Sequence, residues 1–161
     1  MSNGKRKGKD RNRGKKKDRA KRPEPANRGG SRAPKLLTVV SCLIEQSGGE
    51  VLICSESEPS RTDRGWQFVT GVVEDGESAE AAMRRIARQR VGLEIDIHTG
   101  QPPFAGEFAG SPCAYRYFLA SITSGEAKPL DYRELRWVKS AQLCEYDFAP
   151  VHRDIVQWYV S

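Results

Sequence analysis

The 161-residue chain has no C-x-x-C pair; Cys42, Cys54, Cys113 and Cys144 stand far apart. Without pairs at ligand spacing, neither a zinc site nor a disulfide framework is expected, and a reduced cytoplasmic setting fits the cysteines best. No apolar run approaches the roughly 18 residues of a membrane span. An apolar secretory core and the amphipathic stripe of a mitochondrial presequence are both missing, and nothing repeats. Histidine is scarce: His98 and His152 have no Ser, Cys or acidic neighbour at motif spacing, so no catalytic triad is indicated. Residues 1–35 contain no Val, Ile, Leu, Phe, Trp or Tyr. Such a segment cannot bury enough surface to offset its ordering entropy, and it is expected to be a disordered tail.

What that tail does contain is charge. It holds 15 of the 27 Lys and Arg residues against Asp10, Asp18 and Glu24, a balance of +12. Residues 36–161 carry the other 12 cations against 18 Asp and Glu, a balance of −6, so the net +6 and the basic pI belong to the tail. The folded part is therefore not a basic nucleic-acid-binding domain. Runs such as Lys5-Arg6-Lys7 and Lys15-Lys16-Lys17 suit non-specific, salt-sensitive contact with RNA. With no aromatic residue, the tail offers no base stacking. A nuclear address, a ribosome-binding arm or a solubilising extension are equally open to it.

With 37% hydrophobic residues, the remainder suffices for one globular domain, beginning near Lys35. Leu36–Ile44 and Val51–Cys54 read as a hairpin around Ser47-Gly48-Gly49. Charged residues 56–65 read as a loop, and Trp66–Val69 as a short strand ending at Gly71. Ala79, Ala82, Met83, Ile86 and Ala87 make one apolar stripe, predicting a helix over 78–91 with Ser78 as N-cap and Gly92 as its stop. Strands are expected at Leu93–Ile97, Tyr115–Ile122 and Leu135–Val138, with a break at Pro102-Pro103. A helical turn at Ser140–Cys144 and a closing helix at His152–Val160 complete an α+β pattern with a mixed sheet.

The stretch from Trp66 to Glu77, running straight into the helix, carries the chemistry. Gly71, Glu77, Arg85, Gly92 and Leu93 stand at the spacing G-x5-E-x7-R-x6-G-U, with U a bulky aliphatic. This resembles the Nudix box, and the words W-Q-F-V-T-G and G-E-S-A-E-x-A-M look like the dATP- and RNA-pyrophosphohydrolase branches of that family. Leu135-Arg136-Trp137-Val138 and Asp147-Phe148-Ala149-Pro150 are similar to its C-terminal segments. The resemblance spans about residues 36–160 and implies a Nudix-like α/β/α sandwich with a mixed sheet. It also implies attack of water on a nucleotide phosphoanhydride with Mg²⁺ or Mn²⁺ held by helix glutamates.

The family's helix glutamates fall at 86, 89 and 90, which are i, i+3 and i+4 on one face, so that their carboxylates converge on a hard cation. Here those positions are Ile86, Gln89 and Arg90. A divalent ion about 4 Å from Arg90 meets roughly 8 kcal/mol of repulsion at an effective dielectric near 20. The box is thus degenerate, and a nucleotide- or phosphate-binding protein with reduced or absent hydrolysis is expected. Replacing Ile86, Gln89 and Arg90 together by glutamate is expected to create or strengthen Mg²⁺ binding.

In that reading Arg85, Arg90 and Gly71 are the phosphate-binding candidates, arginine forks being suited to phosphate oxygens. Arg84 and Arg88 belong to the solvated helix face. The alternative is an active pyrophosphohydrolase on (d)NTPs or on 5′-triphosphate or capped RNA. It would draw metal ligands from Glu74 and Glu77, and a general base from Glu107 or Glu134, both expected in loops. His152 lies near where some relatives place a base-contacting residue, and Tyr115, Tyr117 and Phe118 suit either the core or a base pocket. A structural role in a ribonucleoprotein is a third reading.

Overall fold

The computed structural model describes residues 36–57 and 64–161; the tail expected over 1–35 lies outside the described residues. The elements in chain order are β1 (Leu37–Gln46), β2 (Glu50–Ser55), β3 (Val69–Val72), α1 (Ala79–Val91), β4 (Leu93–Gly100), β5 (Phe104–Phe108), β6 (Ser111–Gly125) and β7 (Glu134–Lys139). A 3-10 helix (Ser140–Glu145) and α2 (Pro150–Val160) follow. The strands form one mixed sheet in the order β4-β6-β1-β2-β7, with β3 paired to β1 and β5 to β6. The β1/β6 pair is parallel and the others antiparallel.

Strand β1 shows why two helical layers are needed. Val39–Ile44 is a near-continuous buried run, as expected of a strand covered on both faces. Val40, Cys42 and Ile44 pack with Ala82, Met83, Ile86 and Ala87 of α1. Val39 and Leu43 turn the other way, to Phe68, Tyr115, Tyr117, Leu143 and Val156. The period-2 alternation of a strand thus divides the core between an α1 face and an α2 face.

Helix α1 forms as its sequence predicts. The Ser78 hydroxyl accepts from the Ala81 N–H at 3.1 Å, and Gly92 takes the left-handed conformation (φ 73°) that stops the helix, its N–H returning to Ala87 and Arg88 carbonyls. All four cysteines are free. Among the described residues no helix is long and apolar enough to cross a membrane.

Three expectations need correction. Of the loop expected over 56–65, residues 58–63 lie outside the described residues; regular pairing of the strand expected from Trp66 starts at Val69 and runs to Val72, and Trp66 and Gln67 make only single bridges, to Phe148 and Cys54. The backbone of Trp66 is instead tied to Asp147 and Ala149 at the entry to α2. The Pro102-Pro103 break is followed at once by β5, a strand outside the expected pattern, so Glu107 lies in a strand and not a loop. Glu134 is likewise the first residue of β7.

Candidate functional site

At the box, Gly71 of β3 lies directly against the Ile86 side chain of α1. A Cβ on Gly71 would lie 2.6 Å from Ile86 Cδ1, and Ile86 is only 2% exposed. The loop between β3 and α1 is braced by Arg85. Arg85 Nε and Nη2 donate to the two Glu77 carboxylate oxygens at 2.8 and 2.9 Å, and Nη2 also donates to the Val72 carbonyl at 2.9 Å. Glu77 in turn accepts the Glu74 N–H at 3.0 Å. The Arg85 fork and then that N–H draw the Glu77 pKa down from 4.5 to about 2. Arg85 Nη1 donates to Gln89 Oε1 at 3.1 Å and lies 3.8 Å from Glu74, whose side chain is 69% exposed.

One turn further on, Arg90 points away from solvent. Its Nη1 donates to the Thr70 carbonyl at 2.7 Å, and Nη2 donates to Glu56 Oε1 at 2.8 Å and to the Asp131 carbonyl at 3.0 Å. Nε lies 3.2 Å from an Asp131 carboxylate oxygen, a charge contact rather than an aligned hydrogen bond. The Tyr132 ring lies beneath the guanidinium, 3.9 Å from its carbon. Burial opposes the charge, but Tyr132, Glu56 and Asp131 outweigh it and raise the Arg90 pKa. The same tyrosine hydroxyl accepts the Thr70 N–H at 3.0 Å, so both backbone groups of Thr70 are used at this one corner.

The α2 face is built differently. Phe104, Tyr115 and Tyr117 stack with ring centroids 5.7–5.9 Å apart, and His152 meets Phe68, Tyr115 and Tyr117 edge-on. His152 Nδ1 and the Tyr117 hydroxyl share a hydrogen bond. Burial lowers the His152 pKa from 6.5 to about 3, so the ring is neutral. Outside this stack, β5 and the start of α2 border an open surface depression of about 500 Å³, lined by Phe104, Gly106, Glu107, Val151 and Asp154 among others.

The family model for the NUDIX domain matches residues 35–159. The chain belongs to that family. It is 28% identical over 107 residues to the putative 8-oxo-dGTP diphosphatase 2 of Mycobacterium tuberculosis H37Rv, covering 66% of this chain and 76% of that protein. It is 22% identical over 129 residues to the CTP pyrophosphohydrolase of Escherichia coli K12, covering 79% and 93%. Among solved structures, the MutT protein of Methanosarcina mazei Go1 superposes with a TM-score of 0.68 at 21% identity, over 80% of this chain and 96% of that one. The Nudix-like sandwich expected from the box is thereby established.

Nudix proteins generally use Mg²⁺ or Mn²⁺, and the side chains present here do not fit such an ion. Ile86 has no oxygen and is sealed under Gly71, Gln89 is neutral and bonded to Arg85, and Arg90 is itself a cation. Among the described residues no group of three His, Cys, Asp or Glu side chains is placed to hold a metal. The structure brings Glu74 and Glu77 together, but Glu77 is committed to Arg85. Glu107 and Glu134 are held apart: β5 and β7 lie on opposite sides of the sheet, with β6, β1 and β2 between them, roughly 19 Å at the usual strand spacing. Glu107 lines the cleft, whereas Glu134 pairs with Arg136 at 2.7 Å.

Glu56, Asp131, Tyr132 and Asp154 were not foreseen. The first three come from loops far along the chain from the box, and only the need of a half-buried arginine for anionic partners hints at them. Asp154 is an ordinary surface position of a helix by sequence.

Proposed function

We propose that this chain is a nucleotide- or phosphate-binding Nudix protein in which Mg²⁺-dependent hydrolysis is reduced or absent. The observation that carries the reading is the state of positions 86, 89 and 90: an apolar contact with Gly71, an amide on Arg85, and a guanidinium engaged by the chain's own oxygens. The ligand's base is assigned to the cleft between β5 and α2. There Phe104 supplies an aromatic surface, and Glu107 and Asp154 supply acceptors for the N–H groups of a base. The relatives' names, an 8-oxo-dGTP diphosphatase and a CTP pyrophosphohydrolase, favour nucleoside triphosphates as the ligand class.

Phosphate contact falls first to Arg85, whose Nη1 reaches an exposed hydrogen bond that a phosphate oxygen can replace. Gly71 and Arg90 are weaker candidates, one committed to strand pairing and the other to Glu56, Thr70 and Asp131. Residues 1–35 add non-specific RNA contact in a cytoplasmic setting.

The second reading, an active pyrophosphohydrolase on (d)NTPs or on triphosphorylated or capped RNA, is favoured by one observation: Glu107 lines the same cleft, where a carboxylate can serve as a general base. Titration of a (d)NTP panel in EDTA, alongside pyrophosphate release with Mg²⁺ or Mn²⁺, separates the two. Binding that survives EDTA with no release above background is expected. Metal-dependent turnover that EDTA abolishes overturns the first reading.

A further inference from the structure

Strand β5 pairs with β6 alone, and the other edge of β6 is taken by β1. Phe108 and Ser111 flank a two-residue turn and so form a hydrogen-bonded pair, as do Gly106 with Cys113 and Phe104 with Tyr115. The alternation of the ladder then turns the N–H and C=O groups of Ala105 and Glu107 outward. Pro112, opposite Glu107, stands where β6 needs no N–H towards β5. Ala105 and Glu107 are exposed, and among the described residues no strand pairs with this outer edge. Such unpaired groups are a template for one more strand.

Helix α2 begins close over β5, where a Cβ on Gly106 would lie 3.3 Å from Val151 Cγ2. Two shallow depressions open between them, of about 500 and 380 Å³, and Phe104 and Asp154 line both. The second adds Pro102, Ile155 and Trp158. Phe104 and Trp158 are large apolar side chains left 39% and 48% exposed. Neighbouring Arg153 turns to Asp147 at 3.5 Å, and among the described residues no cation pairs with Asp154. Asp154 and Trp158 are four residues apart on α2, about 6 Å along its axis. Side chains i and i+2 of an extended strand share one face at about 6.6 Å. The two spacings match.

From this geometry we propose that the strip between β5 and α2 is a peptide-docking site, where an extended segment of a partner protein adds as a strand to the free edge of β5. The segment seats an aromatic or large aliphatic side chain against Phe104 and Trp158 and, two residues away, a Lys or Arg on Asp154. Main-chain bonds to Ala105 and Glu107 supply affinity, and the α2 side chains supply selectivity. Charge decides the occupant. Asp154 and Glu107 repel the phosphates of RNA. A second copy of this chain would offer the β5 segment Phe104–Phe108, which carries Glu107 and no cation. The inference goes beyond the nucleotide reading, and its test uses no nucleotide, so each can fail alone.

The experiment follows fluorescence polarisation of a labelled, Thr-rich heptapeptide with Lys and Trp two positions apart, titrated with the full-length chain. A second peptide has Glu in place of the Lys, and a third has every Thr nitrogen methylated. Wild type is expected to bind the first peptide at least about tenfold more tightly than the methylated one, which cannot complete a strand ladder. Ala105→Pro removes an outward N–H and Trp158→Ala an aromatic wall, and each is expected to weaken binding about tenfold. Asp154→Lys is expected to weaken the Lys peptide and strengthen the Glu peptide, each about tenfold, an exchange that misfolding does not produce. Failure of wild type to bind the first peptide overturns the proposal, as does equal binding of the methylated one or an Asp154→Lys chain without the exchange. A dimer of the chain that Ala105→Pro abolishes assigns the edge to a second copy, and oligonucleotide binding that Trp158→Ala abolishes assigns it to RNA. Either result overturns the proposal too.

Discussion

On the α1 face, Arg85 and Arg90 stay charged among oxygens drawn from several loops, whereas on the α2 face His152 stays neutral among Phe68, Tyr115 and Tyr117. Both faces enclose titratable groups, and they satisfy them by opposite means. The guanidinium clasps are directional and fix where loops sit relative to α1. The aromatic stack holds its members by area and shape, and burial keeps the imidazole that shares a hydrogen bond with Tyr117 uncharged. A face built of permanent cations and carboxylates is insensitive to pH near neutrality. A face that buries a neutral imidazole is not.

The sharpest way to break this contrast is to put an unpaired charge where the α1 face is dry. Ile86→Glu places a carboxyl against Gly71 with no cation assigned to it, since Arg85 is spent on Glu77 and Arg90 on Glu56 and Asp131. The expected cost is about 4 kcal/mol, from burying a group that must either lose its charge or displace its neighbours. Chemical denaturation of Ile86→Glu beside Gln89→Glu checks it. The second substitution, on an exposed residue, is expected to shift the midpoint little.

The next effect reads the two faces by pH. His152 is lowered from 6.5 to about 3, so the unfolded chain takes up its proton first and stability falls as pH drops from 6.5 towards 3. One such proton amounts to about 2.7 kcal/mol over two pH units. Glu77, drawn down to about 2 by Arg85, adds stability that is complete above 4.5 and is lost as pH falls towards 2. His152→Phe is expected to flatten the upper window and leave the lower one. Glu77→Gln is expected to do the reverse. Melting temperatures of both variants from pH 7 to pH 2.5 test the assignment, and one profile shared by both variants would sink it.

The α1 stripe, its Ser78 and Gly92 caps, the first hairpin and the box register were legible because each rests on local chemistry: a 3.6-residue period, a cap, a turn. The loss of carboxylates at 86, 89 and 90 was equally plain. Where those replacements point was not. Ile86 and Arg90 take their roles from Gly71, Glu56, Asp131 and Tyr132, and Arg90's partners lie 20 to 41 residues away. The cleft was hidden for the same reason, since it depends on β5, a strand with no clear period-2 pattern behind two prolines.

Strand β5 also supplies the smallest expected effect. Its turn to β6 is the two residues Ala109-Gly110, and Phe108 pairs directly with Ser111. Both turn residues have positive φ, 52° and 82°, the form of a tight hairpin that matches the twist of its strands. Glycine adopts this conformation freely, whereas alanine bears a steric cost of about 1–2 kcal/mol. Asn-Gly is the pairing that normally announces such a hairpin, and Ala-Gly hides it. Ala109→Asn is therefore expected to raise stability by about 1 kcal/mol, because asparagine tolerates the left-handed region. The substitution lies at the end of the strand that carries Phe104 and Glu107, so it should also sharpen any nucleotide affinity of the cleft slightly. A denaturation midpoint that stays put or falls would mean that the turn takes another form in solution.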